Sequence, residues 1–528
     1  MFQKIVIFTF GIFLILGQVG QLEAEDLQKN YDLVVYGGSA SGVATAISAA
    51  REGASVVLLE PGKHVGGLVT GGLSGTDFGN KKCIGGFAIE FYNRLGKHYN
   101  KPVEWYAEPH VSEDTFNAML KEANVPVLFG HRMKEHGGVK MDGGRVQSIT
   151  MENGKEFRGA VFADCTYEGD LMAQAGVKYT FGREGTSQYG EDLAGVREHT
   201  PKHQFLVNVK ARDENGKLLP GIQEGPKGEP GAADKKIQAY NFRVCMTTDT
   251  SNMKPFPKPP AYDAAQFKLL ARLIDETKAQ TGSYPKVGKL MHPLAIQNGK
   301  TDTNNNGAFS TDYIGGNWNY PEASYAERQK IWDDHYNYVA GFLYFLANDE
   351  SVTSSVREEM NTWGLAADEF IDTNNWPRQL YVRESRRMVG AYVMTQPDIQ
   401  TSRTKEDVIG MGSYNSDSHN VQRFENAQGF AENEGDMQVR VKPYQIPYRL
   451  ITPKAAEATN LLVPVCFSAS HVAYSTLRME PQYMIIGQAA GIAAAMAAKA
   501  KTSVQEIDTA ALTARLRELN AVLELAEK

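Results

Sequence analysis

The feature that most restricts this chain is residues 31–60, YDLVVYGGSASGVATAISAAREGASVVLLE. Asp32–Tyr36 reads as a buried strand, Gly37–Gly42 as a tight turn, Ala44–Arg51 as a helix with a small-residue face, and Ala54–Leu59 as a second strand. That order predicts a β-α-β unit whose turn aims a helix N-terminus at a bound pyrophosphate. Gly37 and Gly42 take the first and third glycine places of a GxGxxG turn, with Gly38 between them and Ser39 standing in the second place. Serine is a small replacement there, and its hydroxyl is expected to donate to the phosphate. Glu60 closes the second strand 23 residues after Gly37, close to the roughly 20 expected for a ribose-binding acid. A carboxylate there accepts from ribose hydroxyls and repels a 2′-phosphate, which suits FAD or NAD and disfavours NADP. The bland alternative is an α/β packing turn that holds no nucleotide.

The rest of the composition narrows the class. With 528 residues the chain has room for two to four structural units, and 42% hydrophobic against 22% charged residues indicates an ordered globular protein. The net charge of −7 without a long basic run excludes nucleic acid as an expected partner. Four scattered cysteines (Cys83, Cys165, Cys245, Cys466) form neither a disulfide framework nor a CxxC metal site, and read as unpaired buried thiols. Lys4, the apolar run Ile5–Leu16 and Leu22-Glu23-Ala24 resemble a secretory signal over residues 1–24, so a periplasmic or secreted location is expected. An uncleaved anchor is the alternative.

Three further segments choose between the cofactors. Gly66-Gly67 follows Glu60 in GKHVGGLVTGG. Residues 125–163 supply short strands at Pro126–Phe129, Arg145–Met151 and Phe157–Ala163 that read as a small β-meander. The meander ends in ADCTYEGDLMAQAG, with Asp164, Gly169 and Asp170. Near the C-terminus NLLVPVCFSASH leads into RMEPQYMIIGQAAGIAAAMAAKA, with Gly487, Gln488 and Gly491. Together these segments resemble the bacterial FAD-dependent oxidoreductases of the glutathione-reductase fold, in particular a secreted branch often labelled xanthan lyase-like. The resemblance implies FAD as cofactor and a discontinuous Rossmann-like α/β FAD-binding domain with an inserted α+β substrate domain. It also implies that the residues named above hold the cofactor, with Gly487, Ala490 and Gly491 letting a helix approach the flavin ring. The domain reading is a signal at 1–24, FAD-binding parts at 25–174 and 441–528, and a substrate domain at 175–440. The last helix is read as having an apolar core of about 15 residues, short of the roughly 20 that a membrane span needs.

The middle of the chain contains two decoys. Gly225–Ala233 (GPKGEPGAA) has too few collagen-like triplets for a triple helix and reads as an exposed loop. Asp302–Gly307 copies half of a calcium loop, but Tyr313 stands where the bidentate acid belongs. Between Asn298 and Tyr344 amides interleave with aromatics, a pattern suited to a sugar or polyol, or else to an amphipathic core helix over Trp332–Phe345.

Flavin dehydrogenation needs a base, positive charge near the flavin pyrimidine and a rigid hold on substrate. Arg383, Arg386 and Arg387 form a dense basic cluster that would share one face of a helix, either to meet a carboxylated substrate or flavin or to form structural ion pairs. His419 and His471 are the candidate bases, with His471 favoured because it follows the strand that feeds the C-terminal helix. Tyr448 and Arg449 are candidate substrate-side residues, and covalent flavin attachment through His64 is an open alternative. The leading expectation is a dehydrogenase or oxidase of a sugar-like hydroxylated small molecule. A redox-neutral flavoprotein lyase or isomerase, and a non-enzymatic carbohydrate-binding protein, are the competing readings.

Overall fold

The computed structural model describes residues 30–401 and 403–525; the segment read as an export signal lies outside them. The main sheet is built from β1 (Asn30–Tyr36), β2 (Val56–Glu60), β3 (Val127–Phe129), β4 (Val139–Asp142), β5 (Arg145–Thr150) and β6 (Glu156–Asp164), with the short strand Leu461–Leu462. Their order is β3-β2-β1-β6-β5-β4, and Leu461–Leu462 pairs with β6. β3, β2, β1 and β6 run parallel, as apolar strands connected by helices do. β6 serves two partners on one edge. Its first residues pair antiparallel with β5, and Phe162 and Ala163 pair in parallel with Leu461 and Leu462. The chain therefore returns across some 300 residues to complete the sheet it began.

The meander differs from the sequence expectation in one strand. Val127–Phe129 joins β2 in parallel, with Leu58 opposite Val127, and the meander is β4-β5-β6. The helix Pro109–Glu122 before it supplies the crossover that a parallel return requires.

Helix α1 (Ala40–Arg51) follows β1 and is buried from Ala40 to Ala49. Helix α2 (Glu480–Ala500) lies along it at backbone distance. A Cβ on Gly487 would stand 2.4 Å from the Ser41 carbonyl oxygen, and one on Gly491 2.2 Å from that of Thr45. These glycines thus seat α2 on the small-residue face of α1, a packing role beside the approach to a flavin ring that the resemblance implies. Gln488 is structural too: its Oε1 accepts from the Phe87 amide at 2.9 Å, at the start of the helix Gly86–His98. α2 has 21 residues, more than the apolar core read from the sequence. It is long and apolar enough to cross a bilayer, yet 83% of its most apolar window is buried in protein.

A second sheet is antiparallel, in the order Met291–Ala295, Lys300–Asn305, Val244–Thr247, Gly364–Ala366, Met253–Lys254. The architecture is mixed α/β, with a parallel Rossmann-like sheet at its nucleotide end. The amide-aromatic stretch is divided. Tyr313 stacks on Tyr338 at 4.3 Å and Trp332 meets Phe242 edge-on, as core contacts, whereas Asn304–Asn306 reach a cavity described below. All four cysteines are free and buried.

Candidate active site

At the nucleotide end the glycine turn is pressed against β6. Gly37 has φ +97°, and a Cβ there would lie 2.8 Å from the Cys165 and Thr166 backbone. A Cβ on Gly42 would stand 1.9 Å from the Gly37 carbonyl oxygen. Ser39 corrects the sequence reading: its hydroxyl donates to the Cys165 carbonyl at 2.7 Å and accepts from the Gly42 amide at 3.3 Å. It caps α1 and fixes the turn, so its hydrogen is not available to a phosphate.

Glu60 accepts from the Gly38 amide at 2.6 Å and the Gly62 amide at 2.5 Å. Burial pushes its carboxyl up to about 7 against those two bonds. The Gly66 amide donates to the Gly38 carbonyl at 2.7 Å, so the two glycine motifs touch. Gly67 lies under Tyr167, whose hydroxyl would be 2.4 Å from an added Cβ. Asp164 ends β6 and accepts from the Thr166 hydroxyl and the Met172 amide; burial raises it to about 6. Gly169 is left-handed and starts the helix Asp170–Gln174. Asp170 is claimed by two arginines, Arg328 at 2.7 Å and Arg386 at 2.6 Å, which outweigh its burial and hold it below the usual carboxylate range.

The arginine cluster does not converge. Residues 382–386 belong to no helix or strand, Arg387–Met388 form a short strand, and the three guanidinium groups diverge. Arg386 pairs with Asp170 and Glu322. Arg387 is fully buried between Glu184 and Glu384. Arg383 reaches Asp312 at 3.0 Å. Arg383 and Arg387 and their acids are buried, whereas Glu322 is 47% exposed. His471 belongs with Arg387: its Nδ1 meets Glu384 at 2.8 Å and its amide donates to Glu184 at 2.9 Å. Burial notwithstanding, His471 and Arg387 hold Glu384 at about 2. Elsewhere Tyr448 donates to the Val504 carbonyl, Arg449 pairs with Asp407, and His64 is held by Glu113 and Asp372.

His419 is placed differently. It lines a polar cavity of about 290 Å³ together with Asp77, His203, Arg243, Asn304, Asn305, Asn306, Tyr381, Tyr414, Asp417 and Arg478. Its Nδ1 stands 2.7 Å from Asp312 Oδ2. Asp312 is buried, but Arg383 and His419 keep it ionised, at about 2. An ionised carboxylate only accepts, so Nδ1 carries the proton and Nε2 presents a lone pair. Burial and the Arg383 guanidinium depress the imidazole to about 4, so the ring is neutral at ordinary pH. Among the described residues Asp77 and Asp417 have no arginine or lysine nitrogen within 4.0 Å; the neutral His419 ring places Nε2 3.8 Å from Asp417. Burial and Asp417 raise Asp77 to about 6. Arg243 is held bidentate by Asp302, at 2.6 and 2.9 Å. That pair accounts for Asp302, the first residue of the apparent calcium loop.

The cavity is tied to the nucleotide end from both directions. Asp77 in the wall lies ten positions after Gly67, and on the way Gly72 packs on Arg243 and the Gly75 amide donates to Asp302 at 2.7 Å. From the other side Arg478 in the wall runs into α2, which reaches α1 at Gly487. A sequence profile of the FAD dependent oxidoreductase family matches residues 32–516.

The chain belongs to this family. Among curated proteins nothing matches it. Solved structures with similar folds include THI4 of Thermovibrio ammonificans (18% identity, 33% of this chain and 72% of that one, TM-score 0.25). L-proline dehydrogenase from P. horikoshii gives 14% identity over 36% of this chain and 63% of that one, at a TM-score of 0.24. NikD, an amino acid oxidase of nikkomycin biosynthesis, gives 13%, 37%, 61% and 0.23 in the same order. Each match spans about a third of this oxidoreductase.

The oxidoreductase uses FAD, and its residues fit that group. The glycine turn leaves no room for side chains, the Glu60 carboxylate sits at the end of β2, and the buried Ser41 hydroxyl in the first turn of α1 has no protein partner. Asp312, Asp77, Asp417, Arg243 and Arg478 were not singled out from the sequence. Each is a lone charged residue in a loop or strand, and only the fold brings them together.

Proposed function

We propose that this enzyme oxidises a hydroxylated, sugar-like small molecule, with His419 as the base. The observation that carries the reading is His419 in the cavity wall, with Asp312 behind it and the carboxylates of Asp77 and Asp417 and the amides of Asn304 and Asn305 around it. Planar carboxylates and amides accept and donate in pairs, which matches adjacent hydroxyl groups on a polyol. FAD, when bound, accepts the hydride. His419 Nε2 takes the proton from the hydroxyl oxygen on the carbon being oxidised, and Asp312 stabilises the imidazolium that results. Arg383 keeps Asp312 ionised and is a positioning residue. Asn304, Asn305 and the Asp77–Asp417 pair orient the remaining hydroxyls.

Three points of context belong to the same reading. Residues 1–24 act as an export signal, which places the enzyme in the periplasm or outside the cell. Its motifs resemble those of the secreted, xanthan lyase-like branch of the family, and we place it there. Residues 175–440 serve as the substrate-binding insertion between two FAD-binding parts. Anaerobic mixing of the FAD-loaded enzyme with a panel of sugars, polyols and sugar acids tests the substrate class. A dehydrogenated substrate bleaches the flavin, and a panel that leaves it oxidised throughout argues for another substrate or a redox-neutral reaction.

A further inference from the structure

The cavity wall carries a second imidazole that the mechanism above leaves without a task. His203 lines the cavity with His419, and the two rings lie nearly parallel, 9° apart in plane with their centroids 6.3 Å apart. His419 is tethered through Nδ1 to Asp312. His203 has no such tether: its Nδ1 is buried without a partner, and among the described residues neither ring nitrogen bonds to protein. Burial holds the ring below the ordinary histidine value, so at neutral pH it is uncharged, with one nitrogen to donate and one to accept.

The backbone around this ring is built to hold it in place. His203 sits in a segment without helix or strand, at φ +49°, a left-handed conformation that few residues other than glycine adopt. Four hydrogen bonds fix it there. Its carbonyl accepts from the side-chain amides of Asn420 at 3.0 Å and Asn433 at 2.8 Å. The neighbouring Gln204 side chain pairs with the Asn433 backbone in both directions, accepting from its amide at 2.9 Å and donating to its carbonyl at 2.8 Å. Gln204, Asn420 and Asn433 are all buried, and Asn420 directly follows His419 in the chain. Strain that buried bonds over-determine in this way concentrates at working sites. Packing alone would ask for an apolar ring here. A histidine whose nitrogens go unmet leaves polar groups desolvated, and a ligand hydroxyl offsets that cost.

Ring spacing says which hydroxyl. Two N···O hydrogen bonds of about 2.9 Å placed end to end nearly cover the 6.3 Å between centroids, so oxygens within reach of both rings lie side by side on one molecule. We propose that His203 binds the hydroxyl beside the one His419 deprotonates, so that the enzyme selects substrates with hydroxyl groups on adjoining carbons over isolated alcohols. The proposal rests on the sugar-like substrate argued above. Its test is the binding of the glucose, galactose and mannose series, each with its singly deoxygenated analogues, to FAD-loaded enzyme, read anaerobically from the flavin absorbance. Removing one particular hydroxyl should weaken the parent's affinity at least about tenfold. In His203→Phe, which keeps a flat ring without nitrogens, the same removal should cost less than about twofold. His203→Asn should behave alike. Asparagine accepts a left-handed φ, so this variant keeps the fold, and its shorter side chain does not reach the hydroxyl. A hydroxyl preference that persists in both variants overturns the proposal and leaves the sugar reading standing. Uniform weakening of every sugar and analogue overturns it too, since His203 then only shapes the cavity. A parent enzyme that binds none of these sugars overturns both.

Discussion

Two histidine–carboxylate pairs sit on one buried network, and they differ in what lies beyond the ring. His471 faces Glu384 and His419 faces Asp312, each at less than 2.9 Å, and Gln238 links the two by donating to Glu384 and accepting from the His419 amide. The carboxylates match as well, both held at about 2 by a neighbouring arginine and the histidine itself. His471, however, opens the helix that precedes α2 and is walled in by Glu184 and Arg387, whereas His419 borders the polar cavity. Similar pairwise chemistry therefore serves structure in one place and is available for catalysis in the other. Access decides the role, and pair geometry alone does not.

The largest expected effect separates these two histidines. His419→Ala should slow substrate-driven flavin reduction by about 10²–10⁴-fold with FAD content unchanged, as read by stopped-flow absorbance. Asp312→Asn comes next, about 10²-fold, because a neutral amide no longer fixes the Nδ1–H tautomer. It should also lower the melting temperature, since Arg383 loses its buried counter-charge. His471→Ala reverses the pattern, costing about 1–3 kcal/mol of stability in denaturant titration while leaving the reduction rate within about threefold.

Acid dependence sharpens the contrast. His419 is depressed to about 4 in the folded protein, so its own titration should cost kcat/KM only below about 4, and any shallower limb near 6 should belong to Asp77 and vanish in Asp77→Asn. An acid limb near 6.5, the ordinary histidine value, would point to a more solvated base. The smallest effect belongs to the nucleotide end. Glu60 is protonated below about 7 without cofactor, and ribose hydroxyls prefer the carboxylate. FAD affinity should therefore rise with pH up to about 7 and level off, and Glu60→Gln should flatten that slope in a fluorescence titration.

The nucleotide end was legible in the sequence because its physics is local. Gly37, Gly42, Glu60 and the strands flanking them lie within 30 residues, and each position tolerates few residue types. Even there the side-chain detail escaped: Ser39 looked like a phosphate donor and turned out to cap α1, and Gly487 and Gly491, read as flavin contacts, also seat one helix on another. The substrate side was far less legible. Asp77, Arg243, Asp302, Asp312, Asp417 and Arg478 come from six separate stretches, and no periodicity marks them. The dense run at Arg383–Arg387 misled for the opposite reason. Neighbouring charges on a segment that is not a helix share no face and point to different partners.

The most direct test of the account is the rate of anaerobic flavin bleaching by a reactive sugar or polyol, compared among the parent, His419→Ala and His471→Ala at equal FAD content. The account predicts bleaching in the parent, a near-parental rate in His471→Ala, and a loss of at least about 10²-fold in His419→Ala. A parental rate in His419→Ala together with a collapse in His471→Ala would contradict it.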